Sequence, residues 1–340
     1  MTAVRSPTFL VFLCLTVQGC GIFDRSNLIT IQNVQSIELI SEWEQPRTAA
    51  ISWAPDSESF AILGENGNRN GITLYDLVSL QPLWFEISEN AQDIDFSPDG
   101  EAIAVAIHAL QLGILDSVTG EEIERLYDSS ICNIGHQLRF HPGGDSIVMG
   151  SAAGRGTEFS MSVSLWDLEE NNCLIEGFVG EGWLVMFDIN KDGDKAALSL
   201  TRIYSEDEFT QVRIVDIENG SEICRLEGYG AIFHPLEGIF VAGDESGQLR
   251  FWNADDCTQS GEISATGSAL GFSPNGQLLA VEFEGGIIFI ESSSGALLHR
   301  LDGISFNSSI LEFSPDGQFI LIATGGTTVH HPIISLWGIK

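Results

Sequence analysis

Short apolar runs alternate with turn-forming clusters along almost the whole chain. One phrase carries both features and recurs seven times: SWAPDSESFAI (52–62), DFSPDGEAIAV (95–105), RFHPGGDSIVM (139–149), FDINKDGDKAAL (187–198), IFHPLEGIFVA (232–242), GFSPNGQLLAV (271–281) and EFSPDGQFILI (312–322). An aromatic residue leads each copy: Trp53, Phe96, Phe140, Phe187, Phe233, Phe272 and Phe313, spaced 39 to 47 residues apart. The aromatic is read as the end of one strand. The Ser-Pro-Asp-Gly segment is read as a tight turn: proline presets φ, aspartate bonds back to the turn backbone and glycine takes positive φ. The apolar run that follows suits a strand buried on both faces.

A second phrase keeps step with the first: ITLYDL (72–77), LGILDS (112–117), VSLWDL (163–168), VRIVDI (212–217), LRFWNA (249–254), IIFIES (287–292) and ISLWGI (334–339). It is rich in β-branched and aromatic residues, as third strands should be. A turn and a more polar fourth strand come next, as in GEEIERL (120–126) and GALLHRL (295–301). Four strands in each repeat of about 40–45 residues is the signature of propeller blades. The expected fold is an all-β, seven-bladed β-propeller with four-stranded antiparallel blades. The last repeat stops after its third strand, while VQSIELISEW (34–43) precedes the first inner strand and resembles the fourth strands. That segment is predicted to complete blade seven, so that an N-terminal strand closes the ring and leaves no open edge.

The "FSPDG … LWD … TG … L" arrangement over residues 35–340 resembles the WD-repeat propellers. Trp166-Asp167 is the one complete tryptophan-aspartate pair, and Gly135-His136 supplies the Gly-His pair that the family favours. Other repeats are degenerate, as at Tyr75-Asp76, Val215-Asp216 and Trp252-Asn253. The resemblance therefore implies the family's hydrogen-bond network in blade three at best. It also implies a binding scaffold in place of an enzyme.

The first 20 residues change the expected address. Arg5 is followed by an apolar run from Phe9 to Val17, too short to span a bilayer and patterned like a secretory signal. The run leads to Val17-Gln18-Gly19-Cys20, which resembles a bacterial lipobox. The expected organisation is a signal peptide at 1–19, a tether at 20–34 lipidated at Cys20, and the propeller at 35–340. Lipid on Cys20 would hold the chain to an envelope membrane, outside the cytoplasm. Cys132, Cys173, Cys224 and Cys257 remain in the body; in that compartment they permit disulfides, and three pairings are open.

Charge removes one class of partner. The chain has 48 acids and 15 bases, a formal charge of −33, and lysine only at Lys191, Lys195 and Lys340. Such a surface repels phosphate backbones, so nucleic acid is excluded as a partner. Four of the twelve arginines lie on the rim formed by second-to-third and fourth-to-first connections. Arg47, Arg69, Arg155 and Arg202 fall there, with Phe159, Tyr204, Phe209 and His331. Arginine and aromatic residues dominate interface energetics, and rim loops stand on a rigid scaffold. The rim is the expected docking surface for a protein or peptide.

Chemistry is otherwise sparse. His141 and His234 occupy the serine slot of the turn phrase, as FHP at 140–142 and 233–235. No nucleophile elbow, zinc-binding helix or phosphate loop occurs, so no catalytic residue is expected. A propeller enzyme with a quinone cofactor would need polar residues converging on the central channel, and the second strands are apolar. Envelope-assembly and translocation propellers of six or eight blades also use Ser-Pro-Asp-Gly repeats, but seven copies argue against those blade numbers. One cation motif stands out: Asp188, Asn190, Asp192 and Asp194 alternate around Gly193 as in a calcium loop, in a turn that looks enlarged. Late carboxylates are missing, since Ala196 and Ser199 stand at positions nine and twelve. Calcium, if held there, would bind weakly.

Overall fold

The computed structural model describes residues 27–107, 111–127, 135–155, 158–202, 209–283, 286–304, 310–324 and 332–339. They form seven four-stranded antiparallel sheets. The inner strands touch in cyclic order, the last against the first, so the sheets are blades of a closed seven-bladed propeller. From blade one to blade seven the inner strands are Ala50–Trp53, Ala91–Phe96, Gln137–Phe140, Trp183–Ile189, Tyr229–Phe233, Ser268–Phe272 and Ile310–Phe313. Blade seven takes its outer strand from the N-terminal side: Ile37–Glu44 pairs antiparallel with Ile333–Ile339. The closure expected from the sequence is therefore present.

The core consists of slabs between neighbouring blades. Phe60 and Ile62 of blade one pack with Leu321 and Leu336 of blade seven. Ala61 and Leu63, which alternate with them, face Ile94 and Ile103 of blade two. Both faces of the second strand are thus buried, which is why those strands read as continuous apolar runs. The N-terminal segment joins this core as well: Ile29 and Val34 are buried between blades six and seven, and the Ile29 N–H donates to Gly317 O at 2.9 Å. Residues 29–34, expected as free tether, are packed on the propeller by their apolar side chains.

The turns follow the sequence reading. In blade two, Asp99 accepts the Glu101 N–H at 3.0 Å, Gly100 N–H donates to Ser97 O, and Gly100 has φ 77°. The two histidines in the serine slot are turn residues. The Nδ1 atom of His234 accepts the N–H of Leu236 and Glu237, so Nε2 carries the proton donated to Gly276 O at 3.1 Å in the next blade. A Cβ on Gly276 would lie 2.3 Å from that ring, and Gly276 has φ 69°, so two constraints require glycine there.

Blade four departs from the expectation. The aromatic slot is filled by Ile189, and Phe187 lies two residues upstream. Ile189 pairs with Ala196 as Phe96 pairs with Ile103. Blade two has the same irregularity at the equivalent place, between Ala91 and Asp93, so what sets blade four apart is Ile189 in a slot that is aromatic in the other blades. With this register, Asn190-Lys191-Asp192-Gly193 is an ordinary four-residue turn and not an enlarged one: Asn190 N–H donates to Lys195 O as Ser97 N–H donates to Ala102 O.

Two further features were beyond the sequence reading. Cys224, on the outer strand of blade four, is disulfide-bonded to Cys257 in a turn of blade five, with Cα atoms 6.0 Å apart. Cys173 is also disulfide-bonded, and Cys132 lies outside the described residues. The network implied for blade three does not run through the Trp166 indole: the side chain is buried, and among the described residues its N–H has no hydrogen-bond partner.

Candidate functional site

The rim arginines stand on long hairpins. In blade three the second and third strands, Ser146–Arg155 and Glu158–Asp167, are ten residues each. Their ladder runs out to Arg155 opposite Glu158, with Phe159 opposite Gly154. Blade four extends similarly to Arg202 opposite Phe209, and blade one to Asn66 opposite Arg69. Segments expected as loops are thus largely strand, projecting on the same rim. Arg47 lies in the connection into blade one, exposed, with Nε 3.6 Å from Glu65. Tyr204, His331 and Cys20 lie outside the described residues.

The four residues of the calcium-like motif have separate tasks. Asp188 is on the inner strand and accepts the Phe233 N–H of blade five at 2.8 Å. Asn190 Oδ1 accepts the Lys195 N–H, and its amide donates to Asp194 at 2.6 Å. Asp192 is held by Lys191 at 2.7 Å, and Asp194 by Lys195 at 2.9 Å. Among the described residues no three acidic, histidine or cysteine side chains are grouped to hold a metal ion.

The densest chemistry lies in the central channel, where the apolar second strands predict no convergence of polar residues. Inner strands alternate between blade interface and channel, so Leu138 and Phe140 are buried while Gln137 and Arg139 face inward. The channel position is the residue immediately before the aromatic slot: Ser52, Asp95, Arg139, Asp188, Ile232, Gly271 and Glu312. These residues were legible in the aligned copies as the column beside the aromatics. What pointed elsewhere was the apolar second strands, which do not line the channel. A cavity of about 740 Å³ occupies this space, lined among others by Asp93, Gln137, Arg139, Asp188 and Glu312.

One guanidinium serves several carboxylates. Arg139 Nη1 lies 3.1 Å from Asp93 Oδ2 and donates to Leu138 O at 2.6 Å. Asp93 accepts the Leu138 N–H at 3.0 Å, and Asp95 accepts the Phe140 N–H at 2.8 Å, each across a blade boundary. Ser52 does the same with its hydroxyl, accepting the Phe96 N–H at 3.1 Å. Burial pushes Asp95 and Asp188 up to about 6, against the pull of backbone N–H groups and Arg139. Burial also raises Asp93, although Arg139 opposes it. Glu312 is pushed up to about 7 by burial, with Arg139 opposing and the three aspartates adding to the rise. Its carboxylate receives no hydrogen bond among the described residues.

No protein-family model matches the chain, and no curated protein matches its sequence.

Proposed function

We propose that this protein is a WD-repeat-type propeller, lipid-anchored through Cys20 outside the cytoplasm, that docks a protein or peptide partner on its rim. The carrying observation is the set of three projecting hairpins with Arg69, Arg155 and Arg202 at or beside their tips, on a chain whose formal charge is −33. Cationic residues at hairpin ends on one rim of an acidic molecule favour a partner that brings carboxylates. The disulfide between Cys224 and Cys257 supports an oxidising compartment, and the lipobox-like sequence before Cys20 supports the anchor. The repeat phrases remain the support for the WD-repeat affiliation.

The test is cross-linking in envelope membranes, comparing the wild-type chain with a form in which Arg69, Arg155 and Arg202 are all changed to Glu. Loss of a specific cross-linked protein from the triple variant is expected. An unchanged cross-linking pattern would reject the rim as the docking surface. Intact mass of the purified protein tests the anchor: acyl chains on Cys20, absent from Cys20→Ala, are expected.

A further inference from the structure

Three channel carboxylates already hold the neighbouring blade: Asp93, Asp95 and Asp188 each accept a backbone N–H from it. Among the described residues, two acceptors in the same cavity have no hydrogen-bond donor. Glu312 extends from the inner strand of blade seven with no hydrogen bond to its carboxylate. Gln137, on the inner strand of blade three, has a buried Oε1 with no partner. Both line the 740 Å³ cavity. Gln137 Oε1, buried and unpaired, costs free energy as it stands, and Glu312, half-buried beside the same space, adds a carboxylate with no donor; both favour a ligand that donates.

Charge sets the kind of donor. Arg139 is engaged by Asp93 and by Leu138 O, and Lys191 at the far end of the cavity is held by Asp192. Asp95, Asp188 and Glu312 share what remains of Arg139's field. The cavity is therefore short of positive charge. A metal ion is a poor fit, because among the described residues no three suitable side chains close on one point. A cation that spreads several N–H donors along its length suits acceptors on different blades. The cavity also reaches Thr48 and Ala49 on the rim side, which gives a path inward.

We propose that the central channel binds an organic cation, an alkylguanidinium or alkylammonium group, received by Glu312 and the Oε1 of Gln137. The group would be either a free small amine or an arginine or lysine side chain of a docked protein; the chemistry of reception is the same. This proposal does not depend on the rim arginines, and the rim triple variant leaves it untouched.

The experiment is isothermal titration of the full chain at about 0.15 M salt, where attraction to the distant acidic surface is screened. The probes are agmatine, as a free cation, and a glycine-serine hexapeptide amide with one central arginine. One saturable site per chain is expected for at least one probe. Saturation by agmatine assigns the site to a free amine; saturation by the peptide alone assigns it to a presented side chain. Glu312→Gln is expected to weaken that binding about tenfold or more, the scale of one hydrogen bond to a charged group. Gln137→Leu is expected to weaken it with the carboxylate intact, and Glu121→Gln, at an exposed acid on the outer turn of blade two, to leave it unchanged. Near pH 6.5 binding is expected to release protons, since a cation draws Glu312 into its charged form against Asp93, Asp95 and Asp188. Failure of both probes to saturate at one per chain would overturn the proposal. So would unchanged binding by a folded Glu312→Gln chain.

Discussion

Single side chains join the blades of this molecule. Ser52, Asp95 and Asp188 occupy the same place in blades one, two and four, and each accepts an N–H from the inner strand of the next blade. The role needs only an acceptor; a charge in the channel works against it, which is why burial raises Asp95 and Asp188 to about 6. A contrast between two substitutions follows. Asp188→Ala leaves the Phe233 N–H unpaired and is expected to destabilise by about 1–3 kcal/mol. Asp188→Asn keeps an acceptor and removes the charge, so at pH 8 it is expected to be neutral or stabilising. Urea denaturation of both variants at pH 8 measures this; equal losses would show that the charge itself is needed. The acids ending third strands work similarly at the outer turns, where Asp116 accepts the Thr119 and Val118 N–H groups. That role explains why an acid recurs there while the tryptophan does not.

Strands and turns are where the sequence was most and least readable. The seven turn phrases locate the blades, and the polar character of 34–43 was enough to assign Ile37–Glu44 to blade seven. Blade four misled because Ile189 fills the slot that is aromatic in the other blades while Phe187 stands two residues upstream, and the pairing of Ile189 with Ala196 reveals the offset. The channel charges were written in the repeat columns, but which face of an inner strand looks into a shared cavity is decided by ring closure, a relation among all seven blades. Disulfide pairing was illegible for the same reason: Cys224 and Cys257 meet only because blades four and five are adjacent. Their bond spans a sequence separation of 33 residues, which in the chain-entropy account stabilises by about 4 kcal/mol. The Cys224→Ser, Cys257→Ser double variant is expected to lose about 2–4 kcal/mol in guanidinium unfolding, within the range for native disulfides. Deleting residues 27–44 would also remove the strand that covers Ile333–Ile339. The exposed edge is expected to drive self-association, seen as oligomers in light scattering; a monomer of unchanged stability would show that the closure is dispensable.

At the scale of the whole molecule, the channel and the turns pull stability in opposite directions with pH. Asp95, Asp188 and Glu312 have folded-state values raised to about 6, 6 and 7. Between those values and their unfolded ones, near 4, the native chain holds more protons than the unfolded chain. Unfolding free energy therefore falls as pH rises through that window. The turn acids act oppositely: the Ser97 hydroxyl and the Glu101 N–H hold Asp99 low, and the Thr119 backbone and hydroxyl hold Asp116 low. Their stabilisation is present above the unfolded value and is lost as pH drops through the folded one. The expected result is a stability maximum at about pH 4, where the two windows meet, and a decline from there to about pH 7. The overall charge of −33 would give a decline of the same sign through self-repulsion. Salt separates the two causes, because screening reaches exposed charges far better than groups in a narrow channel. Thermal melts at about 0.5 M salt are expected to keep the decline, and Glu312→Gln to make it shallower. A decline that vanishes with salt and is unaffected by Glu312→Gln would assign it to the surface. The channel acids would then be no more than capping groups for the neighbouring blades.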